Sequence, residues 1–490
     1  MQPNIVVILA DDIGYGDFGC CNPSSRIPTP ATDALAKRGV VFTDAHSSSS
    51  VCTPSRYGLL TGRYCWKTSL TRGVLYGYEP PLIEPGRPTV ASILKGAGYR
   101  TACIGKWHLG LGYSTLEGRS VDFSRPLPWG DADRAEEESI DFSAPVTGGP
   151  LSLGFDSFFG TSGCPTCQPP YGFIDGERFA SPPSVYRETF PYTGRPGMTS
   201  PVWDHAEADP TLARKAVDFI LSQEGSARPF FLYLAACAAH EPCVDEVVPR
   251  VARGKSAAGP RGDLVWLFDW MVGQVVEALA RIDALDSTAL FVTSDNGALP
   301  GDRVMNGSGR EEYRTYGHAS CGSWRGYKAH IWEGGHREPL IVSWPSRIEP
   351  GTRCPALVGL NDLPATLAAM AGASLPGGAA EDSVSLLPLL EGTTPSTPVR
   401  AELIHHSATG VFSIRRGTWK LIHETEGSGG WPPPEGGTPV AGSPGQLYDL
   451  AKDPGEQENL FHKEKGMVRE LTELLLRHRG TGSARPEASA

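Results

Sequence analysis

The sequence lacks any run of about 18 consecutive apolar residues, which is the length that a helix needs to cross a bilayer. It also lacks an excess of positive charge, because 44 Lys and Arg stand against 55 Asp and Glu, for a net charge of -11. This balance disfavours a surface that binds nucleic acid or anionic membranes. We therefore expect no membrane span and no nucleic-acid partner, and an anionic substrate needs cations placed locally at its site.

No export leader is visible in the sequence as given. Residues 4–10 are apolar, but this stretch is too short for a signal peptide and two acids follow it. The sequence as it stands predicts a cytoplasmic location, or a periplasmic or secreted one if a leader has been trimmed.

A second pair of cysteines separated by two residues is also missing. Among eleven cysteines, Cys164 and Cys167 alone have the two-residue spacing of a metal-binding or redox pair. Because no second such pair exists, the sequence argues against zinc at this position. A local disulfide and two free thiols both stay open.

What is present is typical of a large globular enzyme, with 40% hydrophobic and 20% charged residues in a chain of 490. Short apolar stretches alternate with helical patterns, which predicts an α/β fold with a large, mixed, mostly parallel sheet flanked by helices. The predicted strands are 4–10, 40–42, 99–104, 230–236, 289–293 and 340–343, and the predicted helices are 29–39, 89–98, 209–220, 264–279 and one starting near residue 54.

The composition changes near residue 375 to Gly, Ala, Pro, Ser and Thr. We predict a catalytic domain over 1–375, a linker over 376–400, a small C-terminal α+β domain over 401–480 and a disordered tail over 481–490. Alternating segments in the small domain predict an antiparallel sheet, which a helix closes at 465–477. Acidic residues 117–150 and Gly/Pro-rich residues 424–445 are predicted as loops.

Oxygen-bearing side chains follow two of the predicted strands. Asp11 and Asp12 come directly after the first strand, and Asp295 and Asn296 follow the strand at 289–293. Ligands bind at the carboxyl ends of strands in open α/β sheets, where these side chains can converge. Four hard oxygen ligands suit calcium or magnesium rather than zinc or copper.

Cationic and nucleophilic side chains also lie at the ends of predicted strands or at the start of a predicted helix. Residues 52–56 read CTPSR, so Cys52 stands four residues before Arg56 at the expected start of a helix. Lys106 and His108 follow the strand at 99–104, and His240 follows the strand at 230–236. Buried cysteine and structural histidine are the plain alternatives for these residues.

These segments, taken together and in this order, resemble the type I sulfatases, which are formylglycine-dependent, arylsulfatase-like enzymes of the alkaline phosphatase superfamily. The matching segments are residues 11–12, 52–62, 105–110, 294–297, 326–339 (which carries Lys328) and 447–460. The resemblance runs from residue 4 to about residue 460. It implies hydrolysis of sulfate monoesters, such as aryl sulfates or sulfated carbohydrates, to an alcohol and inorganic sulfate.

The resemblance also implies the chemistry of the site. Cys52 is expected to be oxidised to Cα-formylglycine by a formylglycine-generating enzyme or an anaerobic maturase, and its hydrate supplies the nucleophilic hydroxyl. One Ca²⁺, in preference to Mg²⁺, is expected to be bound by Asp11, Asp12, converted Cys52, Asp295 and Asn296. No dissociable organic cofactor is implied.

Roles for the remaining residues follow from the same resemblance. Arg56 orients the diol, while Lys106 and Lys328 bind sulfate oxygens. His240, together with Lys328, contacts substrate and protonates the leaving alcohol, and His108 then acts as the base that releases sulfate. Residues 320–324, 117–150, 164–170 and 203–205 are candidates for the substrate rim, with ordinary surface loops as the alternative.

Two other functions stay open on the sequence. A phosphonate monoester or phosphodiester hydrolase of the same superfamily also uses formylglycine. From a different class, the chain is a metal-binding paralogue without turnover if Cys52 stays unconverted.

Overall fold

The computed structural model describes residues 2–118, 134–188, 195–299, 315–393, 396–430 and 444–481. The predicted acidic loop at 117–150 and the predicted loop at 424–445 lie partly outside these residues. The tail predicted to be disordered lies outside them from residue 482 onward.

Within the described residues, the strands are numbered β1 to β18 in chain order. They are β1 (Asn4–Ala10), β2 (Val40–Phe42), β3 (Ala45–His46), β4 (Arg100–Lys106), β5 (Ser157–Thr161), β6 (Ile174–Asp175), β7 (Arg178–Phe179), β8 (Val185–Arg187), β9 (Gly197–Thr199), β10 (Phe230–Ala235), β11 (Thr288–Ser294), β12 (Leu340–Ser343), β13 (Thr352–Cys354), β14 (Val358–Gly359), β15 (Glu402–His406), β16 (Phe412–Arg416), β17 (Trp419–His423) and β18 (Gly445–Asp449). The predicted strands are thus confirmed, with ends that move by one or two residues.

The α-helices are numbered in the same way. They are α1 (Pro30–Lys37), α2 (Cys52–Thr61), α3 (Val90–Gly96), α4 (Arg134–Glu138), α5 (Ala208–Leu221), α6 (Gly259–Arg281), α7 (Glu333–His336), α8 (Leu363–Met370), α9 (Leu387–Leu390) and α10 (Lys465–Thr481). The predicted helix at 29–39 begins one residue later, after Thr29, whose side chain does not cap α1. Its hydroxyl oxygen instead accepts from the backbone N–H of Gly19 at 2.9 Å, which fixes the preceding loop.

The large sheet has ten strands in the order β13-β2-β12-β11-β1-β10-β4-β5-β6-β7. The five central strands all run parallel to one another: β11, β1, β10, β4 and β5. Antiparallel pairing of β12 with β11 on one side, and of β6 with β5 on the other, extends the sheet. The register places Ala10 beside Ser294, and Ala235 beside Gly105. Four neighbouring strands therefore end at the same edge, as the predicted α/β fold requires.

Helices cover both faces of this sheet. Alternation along β1 sends Ile5, Val7 and Leu9 to one core, together with side chains of α2, α3 and α8. Val6, Ile8 and Ala10 enter the other core with α1, α5 and α6. Two large apolar cores thus hold the strand ends in place from both sides, because burial of apolar area is the main stabilising term.

The C-terminal part is a four-stranded antiparallel sheet in the order β15-β16-β17-β18. Helix α10 packs Leu471 and Leu475 against Leu403 and Leu421 on one face of it. The region predicted as a linker packs closely, because Leu386 and Leu390 are buried in the core of the large sheet. The boundaries at 375 and 401 stay a prediction. Among the described helices, none is long and apolar enough to cross a membrane.

Candidate active site

The shared edge of β1, β11, β10 and β4 brings distant side chains together. Asp11 and Asp12 follow β1, and Asp295 follows β11. The pairing continues past the strand ends, since the N–H of Asp295 donates to Ala10 O at 3.2 Å and that of Asp11 donates to Ala238 O at 3.0 Å. Sequence-distant residues therefore meet because the parallel register fixes where each strand ends.

Oxygen atoms of four buried side chains form one cluster. The Asn296 Nδ2 group donates to Asp12 Oδ1 at 2.7 Å, and the N–H of Asp12 donates to Asp295 Oδ1 at 3.3 Å. Asp12 has a positive φ of 60°, which turns its carboxylate toward this cluster. Within the described residues, the buried Oδ1 of Asn296 has no hydrogen-bond partner. An orphaned amide oxygen beside three carboxylates fits a hard divalent cation such as Ca²⁺.

Three cations neutralise the three carboxylates. Lys106 Nζ lies 2.6 Å from Asp11 Oδ2, and Lys328 Nζ lies 2.7 Å from Asp12 Oδ2. The Arg56 guanidinium donates to Asp295 Oδ2 from Nε at 2.9 Å. All of these side chains are buried, so each charge depends on its partner for compensation.

The pKa shifts follow from this charge arrangement. Burial raises the pKa of Asp11, but the charges of Lys106, His240 and Arg56 outweigh burial and hold it below its usual range. Burial and the negative charge of Asp11 raise the pKa of Asp295 to about 6, against the opposing effect of Arg56. The Asp11 carboxylate is thus fully charged at neutral pH, while Asp295 keeps a proton more readily.

Cys52 is the first residue of α2, and Arg56 lies one turn later on the same helix face. The thiol Sγ lies 3.6 Å from Asp11 Oδ1. Burial raises the pKa of Cys52, and the neighbouring charges of Lys106 and Lys328 do not overcome it. As a thiol this residue is protonated and a weak nucleophile at neutral pH.

Lys328 reaches the site from the loop before α7. Its backbone N–H donates to Ala298 O at 2.9 Å, and the next N–H, of Ala329, donates to Ser50 O at 2.7 Å. These two bonds tie the lysine loop both to the end of β11 and to the segment before Cys52. The negative charges of Asp12 and Asp11 outweigh burial and raise the pKa of Lys328.

His108 and His240 differ in protonation. The Nε2 atom of His108 lies 2.6 Å from the carbonyl oxygen of Leu75, so this nitrogen carries the proton. Its buried Nδ1 has no partner within the described residues, and burial with the charge of Lys106 holds its pKa well below the usual value. His108 is therefore neutral, with a free lone pair on Nδ1.

His240 has the opposite character. Its Nε2 lies 3.7 Å from Asp12 Oδ2, and its Nδ1 lies 3.1 Å from Cys164 Sγ. Burial lowers the pKa of His240, but the negative charges of Cys164, Asp12 and Asp11 outweigh burial and raise it well above the usual value. A charged imidazolium therefore faces the carboxylate cluster.

All site residues expected from the sequence lie in or beside this cluster. The contact of Cys164 with His240 is not foreseen, because the two residues are 76 positions apart and no spacing signal joins them. Cys321, expected at the substrate rim, is buried and its thiol donates to Gly334 O at 3.2 Å. In the same segment Trp324 is partly exposed and stacks on Arg337.

Comparison with known proteins agrees with this geometry. The profile described as "Sulfatase" matches residues 3–373, about three quarters of the chain. The chain belongs to the sulfatase family. A second profile, "N-sulphoglucosamine sulphohydrolase, C-terminal", matches residues 322–480 of this sulfatase. The expected class of enzyme, a sulfuric ester hydrolase, is confirmed.

Relatives with known names resemble the sulfatase along most of its length. An N-acetylgalactosamine-6-O-sulfatase of Bacteroides thetaiotaomicron is 33% identical, with 97% of this chain and 92% of that protein covered. Human arylsulfatase A is 34% identical, with coverage of 96% and 86%. A solved B. thetaiotaomicron structure, described under the metabolism of multiple glycosaminoglycans, superposes with a TM-score of 0.81 at 30% identity and covers 98% and 99% of the two chains.

Proposed function

We propose that this sulfatase cleaves sulfate monoesters of carbohydrates, with residue 52 converted to formylglycine and one Ca²⁺ bound by Asp11, Asp12, Asp295, Asn296 and residue 52. The observation that carries this proposal is the buried cluster of three carboxylates, one orphaned amide oxygen and three cations around Cys52. The formylglycine hydrate supplies the attacking oxygen and Ca²⁺ supplies positive charge beside it.

The chemistry of Cys52 supports conversion. Sulfate esters carry negative charge, so attack on sulfur needs a strong oxygen nucleophile beside positive charge. The raised pKa of Cys52 makes the unmodified thiol unsuited to that task. We therefore propose that a formylglycine-generating enzyme or an anaerobic maturase acts on the CTPSR segment before the chain is active.

The lysines hold the sulfate. In the structure Lys106 and Lys328 pair with Asp11 and Asp12. When a divalent cation compensates those carboxylates, the two ammonium groups become available to an anionic sulfate group. Their charge stabilises negative charge on sulfate oxygens as the ester bond breaks. Arg56 stays bound to Asp295 and orients residue 52 from one helical turn away.

The two histidines divide proton transfer between them. His240 is the acid, because its raised pKa keeps a proton available for the leaving alcohol. His108 is the base, because its lowered pKa and free Nδ1 let it accept a proton. Opposite shifts on two nearby groups are the pattern that separates acid from base in one site.

The carbohydrate assignment rests on the relatives. An N-acetylgalactosamine-6-O-sulfatase is 33% identical, and the structure at a TM-score of 0.81 is described under glycosaminoglycan metabolism. We therefore propose a 6-O-sulfated hexosamine, on its own or in a glycan, as the substrate class.

A panel of sulfated sugars tests this proposal. Converted enzyme is incubated with N-acetylgalactosamine 6-sulfate, its 4-sulfate isomer, a 2-O-sulfated uronic acid, an aryl sulfate and an aryl phosphonate, and free sulfate or phosphonate product is quantified. We expect the 6-sulfate to give the highest kcat/KM. A higher rate on the aryl phosphonate would contradict the sulfate-ester assignment, and a preference for another sugar sulfate would contradict the substrate class alone.

A further inference from the structure

Cys164, Cys167 and His240 meet on the side of the imidazole that faces away from the carboxylate cluster. The Nδ1 atom of His240 lies 3.1 Å from Cys164 Sγ and 3.8 Å from Cys167 Sγ. The three candidate ligand atoms all lie within 4.8 Å of one another. Both cysteines are free thiols, which leaves the two sulfurs available as ligands.

We propose that these three side chains form a binding site for one soft divalent cation of the zinc class, separate from the oxygen-lined calcium site. Tetrahedral zinc, with bonds of about 2.3 Å to sulfur and about 2.0 Å to nitrogen, places sulfur and nitrogen ligands about 3.5 Å apart. The two distances to Nδ1, 3.1 and 3.8 Å, lie on either side of that separation. Small side-chain movements are therefore enough to bind the ion.

The ligand types distinguish this site from its neighbour. Two thiolates and an imidazole select soft or borderline cations, whereas the carboxylate and amide oxygens of Asp11, Asp12, Asp295 and Asn296 select hard ones. His240 stands between the two sites, with Nε2 facing Asp12 and Nδ1 facing the thiols. A carboxylate beyond the second ring nitrogen is the arrangement that commonly orients zinc-binding histidines.

The loop that carries the cysteines is fixed in place. The backbone N–H of Cys164 donates to Gln168 Oε1 at 2.8 Å, and the Thr166 hydroxyl donates to Glu241 O at 2.5 Å. The second bond ties the cysteine loop to the residue next to His240. All three side chains are buried, with Cys164 not exposed at all and Cys167 and His240 8% and 7% exposed.

Binding requires loss of protons. Both sulfurs and Nδ1 must be unprotonated, so binding removes the protons of the Cys167 thiol and of Nδ1, and the remaining imidazole proton lies on Nε2. The bond from Nδ1 to Glu241 O, 3.0 Å long, is lost at the same time. The ion thereby removes the imidazolium form of His240. Without the imidazolium, turnover is lost. This consequence rests on the proposed role of His240 as the acid, whereas the metal-binding site does not depend on that role.

The binding test uses the full chain with Cys52→Ala, because the Cys52 sulfur also lies within 4.8 Å of a ring nitrogen of His240. Zn²⁺ is added in excess Ca²⁺ with a phosphine reductant, and X-ray absorption spectroscopy reports the zinc ligands. We expect two sulfurs at about 2.3 Å and at least one imidazole nitrogen at about 2.0 Å. Zinc bound only by oxygen and nitrogen, or no zinc retained after dialysis, would overturn the proposal.

Variants locate the sulfur ligands. In Cd²⁺ titrations, followed by the ultraviolet absorption of cadmium thiolates, Cys164→Ser and Cys167→Ser should each weaken binding at least tenfold. Cys354→Ser, which changes a cysteine on an edge strand far along the sheet, is the matched control and should bind as before. Unchanged binding in both site variants would overturn the proposal. Circular dichroism verifies that each variant is folded.

The converted enzyme separates this proposal from the proposed function. We expect micromolar Zn²⁺ to inhibit hydrolysis of a sugar sulfate reversibly, because its alcohol leaving group needs the proton of His240, with activity restored by a chelator selective for zinc over calcium. Zinc bound through both cysteines without any inhibition would contradict the role of His240 in turnover and leave the metal site established. Failure of zinc to bind would refute the metal site and leave the sulfatase mechanism untouched.

Discussion

Replacement of Lys106 separates charge compensation from substrate binding. Its ammonium lies 2.6 Å from Asp11 Oδ2, and neither side chain is exposed to solvent. Lys106→Met keeps the length of the side chain and removes the charge, so a buried carboxylate loses its nearest cation. Arg56, whose Nη2 lies 3.6 Å from the same oxygen, compensates it only in part.

The size of the effect follows from the burial of the pair. Removal of one partner of a buried ion pair costs about 3–5 kcal/mol. With an unfolding entropy of about 2.1 cal/mol/K per residue over 490 residues, this loss lowers Tm by about 3–5 °C. The Ca²⁺ proposed for this site would supply positive charge to the same carboxylate. We therefore expect saturating Ca²⁺ to recover at least half of the lost stability.

The assay combines thermal unfolding in Ca²⁺ or in a chelator with aryl sulfate hydrolysis by converted enzyme. Activity should fall by about 10²–10³ in Lys106→Met, in line with loss of one oxyanion-stabilising group, and Ca²⁺ should not restore it. Lys67 is the matched control, because its ammonium lies 2.6 Å from Asp382 in a pair outside the site that is nearly as buried, with 6% of the Lys67 side chain exposed. Lys67→Met should lose similar stability with or without Ca²⁺ and keep its activity.

Two outcomes would refute this reasoning. If Ca²⁺ rescues Lys67→Met as much as Lys106→Met, the ion acts on the whole chain and not on Asp11. If Lys106→Met retains full activity, the lysine does not bind sulfate.

Three further predictions address other parts of the account. Burial lowers the pKa of His406 to about 4, below the value of about 6.5 in the unfolded chain. Folding stability on the order of 3 kcal/mol is therefore present above pH 6.5 and is lost as the pH falls toward 4. His406→Gln should show a flatter dependence of Tm on pH. Asn296→Ala should weaken Ca²⁺ binding, measured by calorimetry, by at least about tenfold, or about 1.4 kcal/mol, and an unchanged affinity would exclude its amide oxygen as a ligand. His240→Asn should slow hydrolysis of a sugar sulfate by about 10²–10⁴ and that of a nitrophenyl sulfate much less, because a good leaving group needs no proton; equal losses would argue against an acid.

Much of the fold is predictable from local pattern. The strand at 4–10 is short, continuous and β-branched, and the structure buries it at the centre of the sheet, as Asn4–Ala10. The antiparallel segments near the C-terminus alternate in polarity and do form a sheet, with β18 as a fourth strand. Residues 376–390 are the exception, because a Gly- and Pro-rich composition does not reveal that Leu386 and Leu390 enter the core.

The candidate site is predictable to the extent that its residues follow strands. Asp11, Lys106 and Asp295 each stand at a strand end, and parallel pairing brings such ends together. Protonation is not predictable in this way, because the opposite pKa shifts of His108 and His240 depend on burial and on charges from distant segments. The contact between Cys164 and His240 is invisible in sequence for the same reason.

The most direct test of the central claim is the mass of the peptide that contains residue 52, measured on the same samples as the turnover rate. Samples with graded conversion are prepared by varying co-expression of a formylglycine-generating enzyme. The account predicts that the rate on an aryl sulfate rises in proportion to the formylglycine fraction and vanishes in Cys52→Ala. Full activity in a sample whose residue 52 is entirely an unmodified thiol would contradict it.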